Sequence, residues 1–255
     1  MSLLAEERLE RIIVEAKRHR VIKITDLRDV LGVTARTIRR DLEELERRGI
    51  LKRTHGGAVW VGDPAHDLTF AVRASTCREE KARIGAVVSN MVKPGEAIII
   101  DAGSTMVEVA RNIPDLAGLT VTTNSLSVAA ELVGKRSVTT IMSGGVLRET
   151  TLSLVGHKAE ETFKQINADK AFIGASGITI EHGFTNSNPF EAEVKRAMIQ
   201  AAREVIVVAD HTKLGKVNLA SFAALADVDL LITGVEADEI TVKYLQNNGL
   251  KVMLA

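Results

Sequence analysis

Residues 34–49 read TARTIRRDLEELERRG, and their reading decides the fold of the N-terminal part of the chain. Ile38, Leu42 and Leu45 recur at the i, i+4, i+7 spacing of one helical face, while Arg36, Thr37, Arg39 and Arg40 crowd the first turns on the other side. Thr34 is placed to cap the helix start and Gly49 to end it in the left-handed conformation. Asp41, Glu43, Glu44 and Glu46 come later, so positive charge gathers at the N-terminus, against the preference of the helix dipole. Such an arrangement calls for an anion facing the helix start.

Upstream, residues 25–31 (TDLRDVL) form a shorter amphipathic segment that also begins on a capping residue, and Gly32-Val33 separates the two. Helix, tight turn and helix is the pattern in which the second helix enters a DNA major groove, N-terminal residues toward the base edges. Arginine suits that position because it binds guanine or phosphate through two parallel bonds. From spacing alone, a plain helical hairpin with a solvated basic face stays open. Downstream, ILKRTHGGAVWV (50–61) contains two β-prone pieces, 50–53 and 58–61, joined through His55-Gly56-Gly57. A hairpin behind a recognition helix is a wing, and Lys52, Arg53 and His55 would carry positive charge to the sugar-phosphate backbone.

TIRRDLEEL (37–45) and RTHGGA (53–58), two motifs at a fixed separation, resemble the recognition helix and wing of DeoR-type bacterial transcriptional regulators. Thr34 and Ala35 stand where many members have serine and another residue, a departure that touches base preference and not class. The resemblance implies a partner in double-stranded operator DNA, contacted by Thr34, Ala35, Arg36, Thr37, Arg39, Arg40, Lys52, Arg53 and His55.

Composition agrees with this reading. A chain of 255 residues, 45% apolar, suits a small domain plus a larger one. Its zero net charge hides an asymmetry: residues 1–60 hold 14 Lys/Arg against 10 Asp/Glu, the remainder 19 against 23. The excess is local, a binding face and not a polybasic tail. Cys77 is the only cysteine, so an intrachain disulfide is excluded and a reducing compartment fits; nothing in the sequence offers it a metal-binding partner, and no metal or cofactor is expected. No signal-peptide core or membrane-length apolar run occurs, so a cytoplasmic protein is expected. One Trp and one Tyr argue against recognition of single strands through aromatic stacking.

Residues 5–18, with Leu9, Ile12, Ile13 and Ala16 on one side, complete a three-helix core, and the winged helix-turn-helix domain is expected to span 1–61. Residues 62–75, broken by Gly, Pro, Asp and His, read as a linker. From 76 to 255 apolar strands alternate with helical segments; the strands fall at 97–101, 119–124, 138–144, 170–176, 204–210, 230–234 and 251–254. Runs such as AIIID and VIVVAD belong to strands buried on both faces, so the expected class is α/β, a doubly wound effector-binding domain.

In open α/β sheets ligands collect beyond the carboxyl ends of the strands. There this sequence places Asp101, Gly103, Ser104 and Thr105, with backbone N–H groups and two hydroxyls for an anion, and then Thr123, Asn124 and Ser125. Gly144, Gly145, Gly174, Ser176 and Gly177 let backbone approach a ligand. Asp210 and Lys213 share a loop with His211 and Lys216, and lysine is a point-charge partner for phosphate. Each cluster also has a plainer reading as a tight turn, a helix cap or a solvated loop. Glu191 and Lys195, four apart on a helix after Pro189, read either as further candidates or as a simple i, i+4 pair.

DAGST, TNS, SGG, SLVG (153–156), DKAFIGASGI and ADHTKLGK follow the order of the same family's C-terminal sensor, extending the resemblance over nearly the whole chain. It implies a domain similar to the ribose-5-phosphate isomerase and CoA-transferase type, binding a phosphorylated sugar through Asp101, Ser104, Thr105, Asn124 and Lys213. His211, where many members have serine, is a local departure. The expectation is a homo-oligomeric repressor of a sugar-metabolism operon, not an enzyme. The alternative is an isomerase-like enzyme fused to a DNA-binding module, with Asp101, Glu191, Asp210 and Lys213 for proton transfer. A dinucleotide-binding redox sensor is disfavoured because no G-x-G-x-x-G follows AIIID.

Overall fold

The computed structural model describes residues 5–19, 21–47, 50–54, 56–60 and 70–255, which divide into two units, Met1–Val72 and Arg73–Ala255. Leu9, Ile12 and Ala16 give α1 (Ala5–His19) its buried face. A short strand, β1 (Val21–Lys23), runs directly into α2 (Ile24–Leu31). Thr25 is therefore not the cap expected from the sequence: the helix starts from Lys23, whose side chain makes no capping bond. The cause is tertiary. The N–H of Ile24 donates to the carbonyl of Gly56 in the wing at 2.9 Å, so this orphan donor needs no local cap. Gly32 ends α2 in the left-handed region at φ 64°, which a residue with a Cβ adopts only at a cost.

In α3 (Ala35–Arg47), Ile38, Leu42 and Leu45 are fully buried, and Thr34 Oγ1 accepts the N–H of Thr37 at 3.2 Å as the cap. Gly49 lies outside the described residues. β2 (Leu51–Thr54) and β3 (Gly57–Trp60) form the expected antiparallel hairpin, and β1 pairs with the free edge of β3. That third strand was not foreseen, because three residues are too few to display an alternation. The unit closes around Leu9, Ile12, Leu27, Ile38, Leu42, Leu45, Leu51 and Trp60.

Helix α4 (Phe70–Ser75) falls inside the stretch read as linker; residues 62–69 lie outside the described residues. Then follow α5 (Arg78–Ser89), β4 (Ala97–Ile100), α6 (Ser104–Asn112), β5 (Thr120–Thr123), α7 (Leu126–Leu132), β6 (Thr139–Met142), β7 (Val146–Arg148), β8 (Ser153–Val155) and α8 (His157–Lys164). The chain continues through β9 (Ala168–Gly174), β10 (Gly177–Thr179), β11 (Gly183–Asn186), α9 (Pro189–Gln200), β12 (Ala202–Val208), β13 (Ala220–Ala223), β14 (Leu230–Thr233), α10 (Glu239–Asn247) and β15 (Val252–Leu254).

All seven strands expected from the apolar runs join one parallel sheet in the order β6-β5-β4-β9-β12-β14-β15. Ile99, Ala171, Ile173, Val205, Val207 and Leu231 pack into one core cluster with Phe163, Val194 and Met198 from α8 and α9. The alternate residues Ile98, Ile100, Phe172, Ile206 and Ile232 are equally buried but point the other way, so the central strands are covered on both faces, whereas the edge strand β6 is exposed. Strand order reverses between β4 and β9, where the sheet grows outward in both directions. The short antiparallel pieces β7–β8 and β10–β11–β13 were not foreseen.

Candidate functional site

The basic helix α3 exposes Arg36, Arg39 and Arg40, and among the described residues none of the three is ion-paired. Thr34 and Thr37 sit at the same end, their hydroxyls 3.0 Å apart, with Ala35 half-buried between them. Arg53 of the wing is committed within the unit: its guanidinium meets Glu43 at 2.9 Å and its N–H donates to Glu46 at 2.9 Å. His55 and the side chain of Lys52 lie outside the described residues. Asp41, one of the acids counted along the helix, is buried beneath it and held by Arg8 of α1.

In the second unit, Asp101 stands at the carboxyl end of β4, beside β9. Its N–H donates to Phe172 at 3.0 Å, and its Oδ2 accepts the N–H of Gly174 at 3.0 Å. Lys195 Nζ reaches the same Oδ2 and donates to the carbonyl of Gly174 at 2.9 Å. Asp101 and Lys195 thus form a buried ion pair across the switch point. Oδ1 of Asp101 makes no hydrogen bond among the described residues.

Glu191 and Lys195 are not each other's partners, contrary to the simple pair that their spacing allows. Glu191 Oε1 accepts from Thr151 at 2.5 Å and Ser153 at 2.8 Å, and Oε2 from Asn186 Nδ2 at 2.8 Å. Asn186 in turn accepts from Ser176 at 3.1 Å. Helix α9 supplies both residues, but it directs them to different strand ends, and tertiary partners prevail over a weak i, i+4 attraction. Burial pushes the Glu191 carboxyl up; the Thr151 bond, Lys195, Asn186 and Ser153 outweigh it and hold the group below its ordinary value.

Gly103, at φ 147°, precedes α6 and makes no side-chain cap; Ser104 and Thr105 begin that helix and are buried. One strand over, Thr123 Oγ1 accepts from Ser125 N–H at 3.1 Å and Ser125 Oγ caps α7 through Val128 at 3.2 Å, so both hydroxyls serve the turn. Asn124 donates to the Leu154 carbonyl at 3.3 Å, while its own Oδ1, buried, has no partner among the described residues. Gly144 and Gly145 follow β6, and a Cβ on Gly145 would come within 2.7 Å of the Val155 carbonyl. Gly177 is packed against Lys216, Thr185 and Asn218, a steric role that leaves its backbone unavailable.

Beyond β12, Asp210 accepts from the N–H of Thr212 at 3.2 Å and lies 3.6 Å from both Lys213 and Lys81. Burial raises this carboxyl, yet Lys213, Lys81 and Thr212 together keep it below the ordinary value. Lys81 is buried, which pushes its ammonium down although Asp210 works in the opposite sense. It donates to the carbonyls of Arg73 at 2.6 Å and Thr76 at 2.7 Å. Glu80, also buried, accepts the N–H of His211 at 2.7 Å and faces His211 Nδ1 at 2.8 Å. Burial, with Asp210 and Glu80, pushes the Cys77 thiol up to about 11.

Sequence reasoning missed Thr151, Ser153, Asn186, Glu80 and Lys81. None lies in a Gly-rich strand end, although Ser153 opens the SLVG segment already noted. The expectation that Cys77 lacks metal-binding company is also corrected: Cys77, Glu80 and His211 bring ligand atoms within 4.8 Å of one another, because the fold joins the start of α5 to the loop after β12.

The family model for the DeoR C terminal sensor domain matches residues 76–235, and that for the DeoR-like helix-turn-helix domain matches residues 8–62. An uncharacterized helix-turn-helix transcriptional regulator of Bacillus subtilis, YulB, is 36% identical over 98% of this chain and 96% of its own. The transcriptional repressor AccR of Agrobacterium fabrum is 37% identical over 89% of each. A solved ribose 5-phosphate isomerase from Methanocaldococcus jannaschii aligns at a TM-score of 0.40 with 15% identity over 54% of each chain. Among the described residues no helix is long and apolar enough to cross a membrane. With both family models matched in order along one chain, and relatives that are regulators and not enzymes, the protein belongs to the DeoR family of helix-turn-helix transcriptional regulators.

Proposed function

We propose that this regulator is a cytoplasmic repressor of a sugar-metabolism operon, released when a phosphorylated sugar binds at the carboxyl ends of β4, β5, β9 and β12. The observation that carries the reading is a pair of unmet polar demands on adjacent strands. Helix α6 begins at Gly103 with no side-chain cap and no acidic residue in its first turn, and buried Asn124 Oδ1 lacks a donor among the described residues. A phosphate answers the first demand through free N–H groups and the helix dipole, and a sugar hydroxyl answers the second. In this reading Gly103, Ser104 and Thr105 hold the phosphate with Lys213, and Asp101 Oδ1 takes a second hydroxyl. Lys195, Glu191 and Asp210 fix the loops around it. The relative AccR, named a repressor, supports the direction of regulation.

On the DNA side, Arg36, Arg39 and Arg40 enter the major groove with Thr34, Ala35 and Thr37, and the wing residues Lys52, Arg53 and His55 follow the backbone. One such module covers little DNA, so the working form is a homo-oligomer held by the α/β unit. Exposed Ile141, Met142, Val146 and Leu147 along the β6–β7 edge support this.

Calorimetry across a panel of sugars and their phosphates tests the effector. Phosphorylated forms should bind and weaken operator affinity, and Lys213→Ala should lose the response while still binding DNA. Equal affinity for a sugar and its phosphate, or a normal response in Lys213→Ala, would overturn the phosphate assignment.

A further inference from the structure

Cys77, Glu80 and His211 offer sulfur, oxygen and nitrogen donors to one point beside α5, outside the residues given to the effector. All three ligand atoms lie within 4.8 Å of one another, and Glu80 Oε2 is already 2.8 Å from His211 Nδ1. The backbone is shaped around this point. Cys77 is in the left-handed region at φ 51°, unusual for a residue with a side chain, and from there it begins α5. Gly234, at the end of β14, faces the same place: a Cβ there would come within 2.3 Å of Glu80 Oε1 and 2.5 Å of Glu236 Oε2. Two carboxylates from different elements therefore converge on a position kept clear by a glycine. Glu236 has a partner in Arg83 at 2.5 Å, whereas among the described residues no lysine reaches Glu80. Lys81 is engaged by two carbonyls and Asp210, and Lys213 by Asp210 and Thr212.

We propose that Cys77, Glu80 and His211 form a site for a divalent transition-metal ion of the Zn²⁺ type. The donor set decides the class. Thiolate and imidazole select zinc-like ions over Mg²⁺ and Ca²⁺, which prefer oxygen alone. Three protein ligands leave a fourth, open position of the kind seen where a metal also takes water or a small ligand. On binding, the Cys77 thiol releases its proton to solvent and the ion sheds water. Glu80 binds as carboxylate, and His211 binds through Nδ1 with its proton carried on Nε2. Two anionic ligands balance the charge of the ion, so the Lys81–Asp210 and Lys213–Asp210 pairs stay as they are. The ion would bridge the start of α5 to the loop after β12.

The full-length protein, stripped with a chelator, is titrated with Co²⁺ and then with Zn²⁺ in competition. The expected result is one ion per chain, with a thiolate-to-cobalt charge-transfer band in the near ultraviolet and tetrahedral bands in the visible, all abolished by Zn²⁺. Cys77→Ser should lose the charge-transfer band. His211→Asn, on a partly exposed loop, should keep that band but bind more than about tenfold more weakly, since even an outer-sphere partner costs that much. Circular dichroism confirms that each variant is folded. Failure of the wild-type protein to bind a stoichiometric ion overturns the proposal, as does a charge-transfer band that survives in Cys77→Ser. In either case Glu80 and His211 are a hydrogen-bonded latch only.

Discussion

Arg8 of α1 grips Asp41 of α3 through two parallel bonds, Nε to Oδ2 at 2.5 Å and Nη2 to Oδ1 at 2.9 Å. Helix α3 is thereby fixed from beneath by a buried acid. Arg8→Ala leaves a buried carboxylate without its cation and should destabilise the N-terminal unit by roughly 3 kcal/mol, near the lower end of values for broken buried pairs because the arginine keeps some exposure. Arg8→Lys should recover less than half, since an ammonium cannot form the parallel pair. Urea unfolding of the two variants measures both.

Arg39→Ala and Arg40→Ala should each weaken operator binding by about 1–3 kcal/mol where the side chain reads a base, and more evenly across sequences where it holds phosphate. Because both side chains are exposed and have no ion pair among the described residues, the unfolding midpoint should not move. Titrations at matched salt decide the matter, and unchanged affinity in both variants would remove α3 from the groove.

Lys195→Met isolates Asp101, 1% exposed, with little besides the Gly174 N–H to hold its charge. A loss of about 3–5 kcal/mol is expected, and the double variant with Asp101→Asn should be more stable than the single one. If Lys195→Met costs under about 1 kcal/mol, the carboxylate is hydrated and the pair is not the buried one described above.

Asp210 has a carboxyl depressed below its ordinary value of 3.8. Its interactions therefore stabilise the fold fully above that value, and their contribution is lost as pH falls through the depressed one. Asp210→Asn should be less stable than wild type at pH 7, and the gap should close as the pH is taken below about 4. Thermal melts between these limits check it; a gap that is constant with pH would mean the carboxylate charge contributes nothing.

The full-length chain should sediment well above its monomer mass of 27.6 kDa at micromolar concentration. A fragment of residues 1–62 should be monomeric and bind DNA poorly. Ile141→Glu, on the exposed edge of β6, should shift full-length protein toward monomer, and a monomeric wild type would contradict the oligomer.

What the sequence disclosed follows from the range over which each signal acts. The central parallel strands were legible because runs such as AIII and VIVV are buried on both faces and need no partner to be recognised. Helix α3 was legible because its apolar stripe, cap and basic turn lie within one segment. The pairings of Glu191 and Lys195 were not, because the partners Thr151 and Asp101 lie 40 and 94 residues away. The cap of α2 failed for the same reason, its donor being satisfied by Gly56 across the wing. Short strands such as β1 and β10 carry too few residues for periodicity and exist only because a neighbour completes them.

Lys81 donates to the carbonyls of Arg73 and Thr76 and lies 3.6 Å from Asp210, so one ammonium ties the end of α4 to the loop after β12. The charge that steadies that loop is thus also the clasp on the turn before α5, and removing it unfastens both at once.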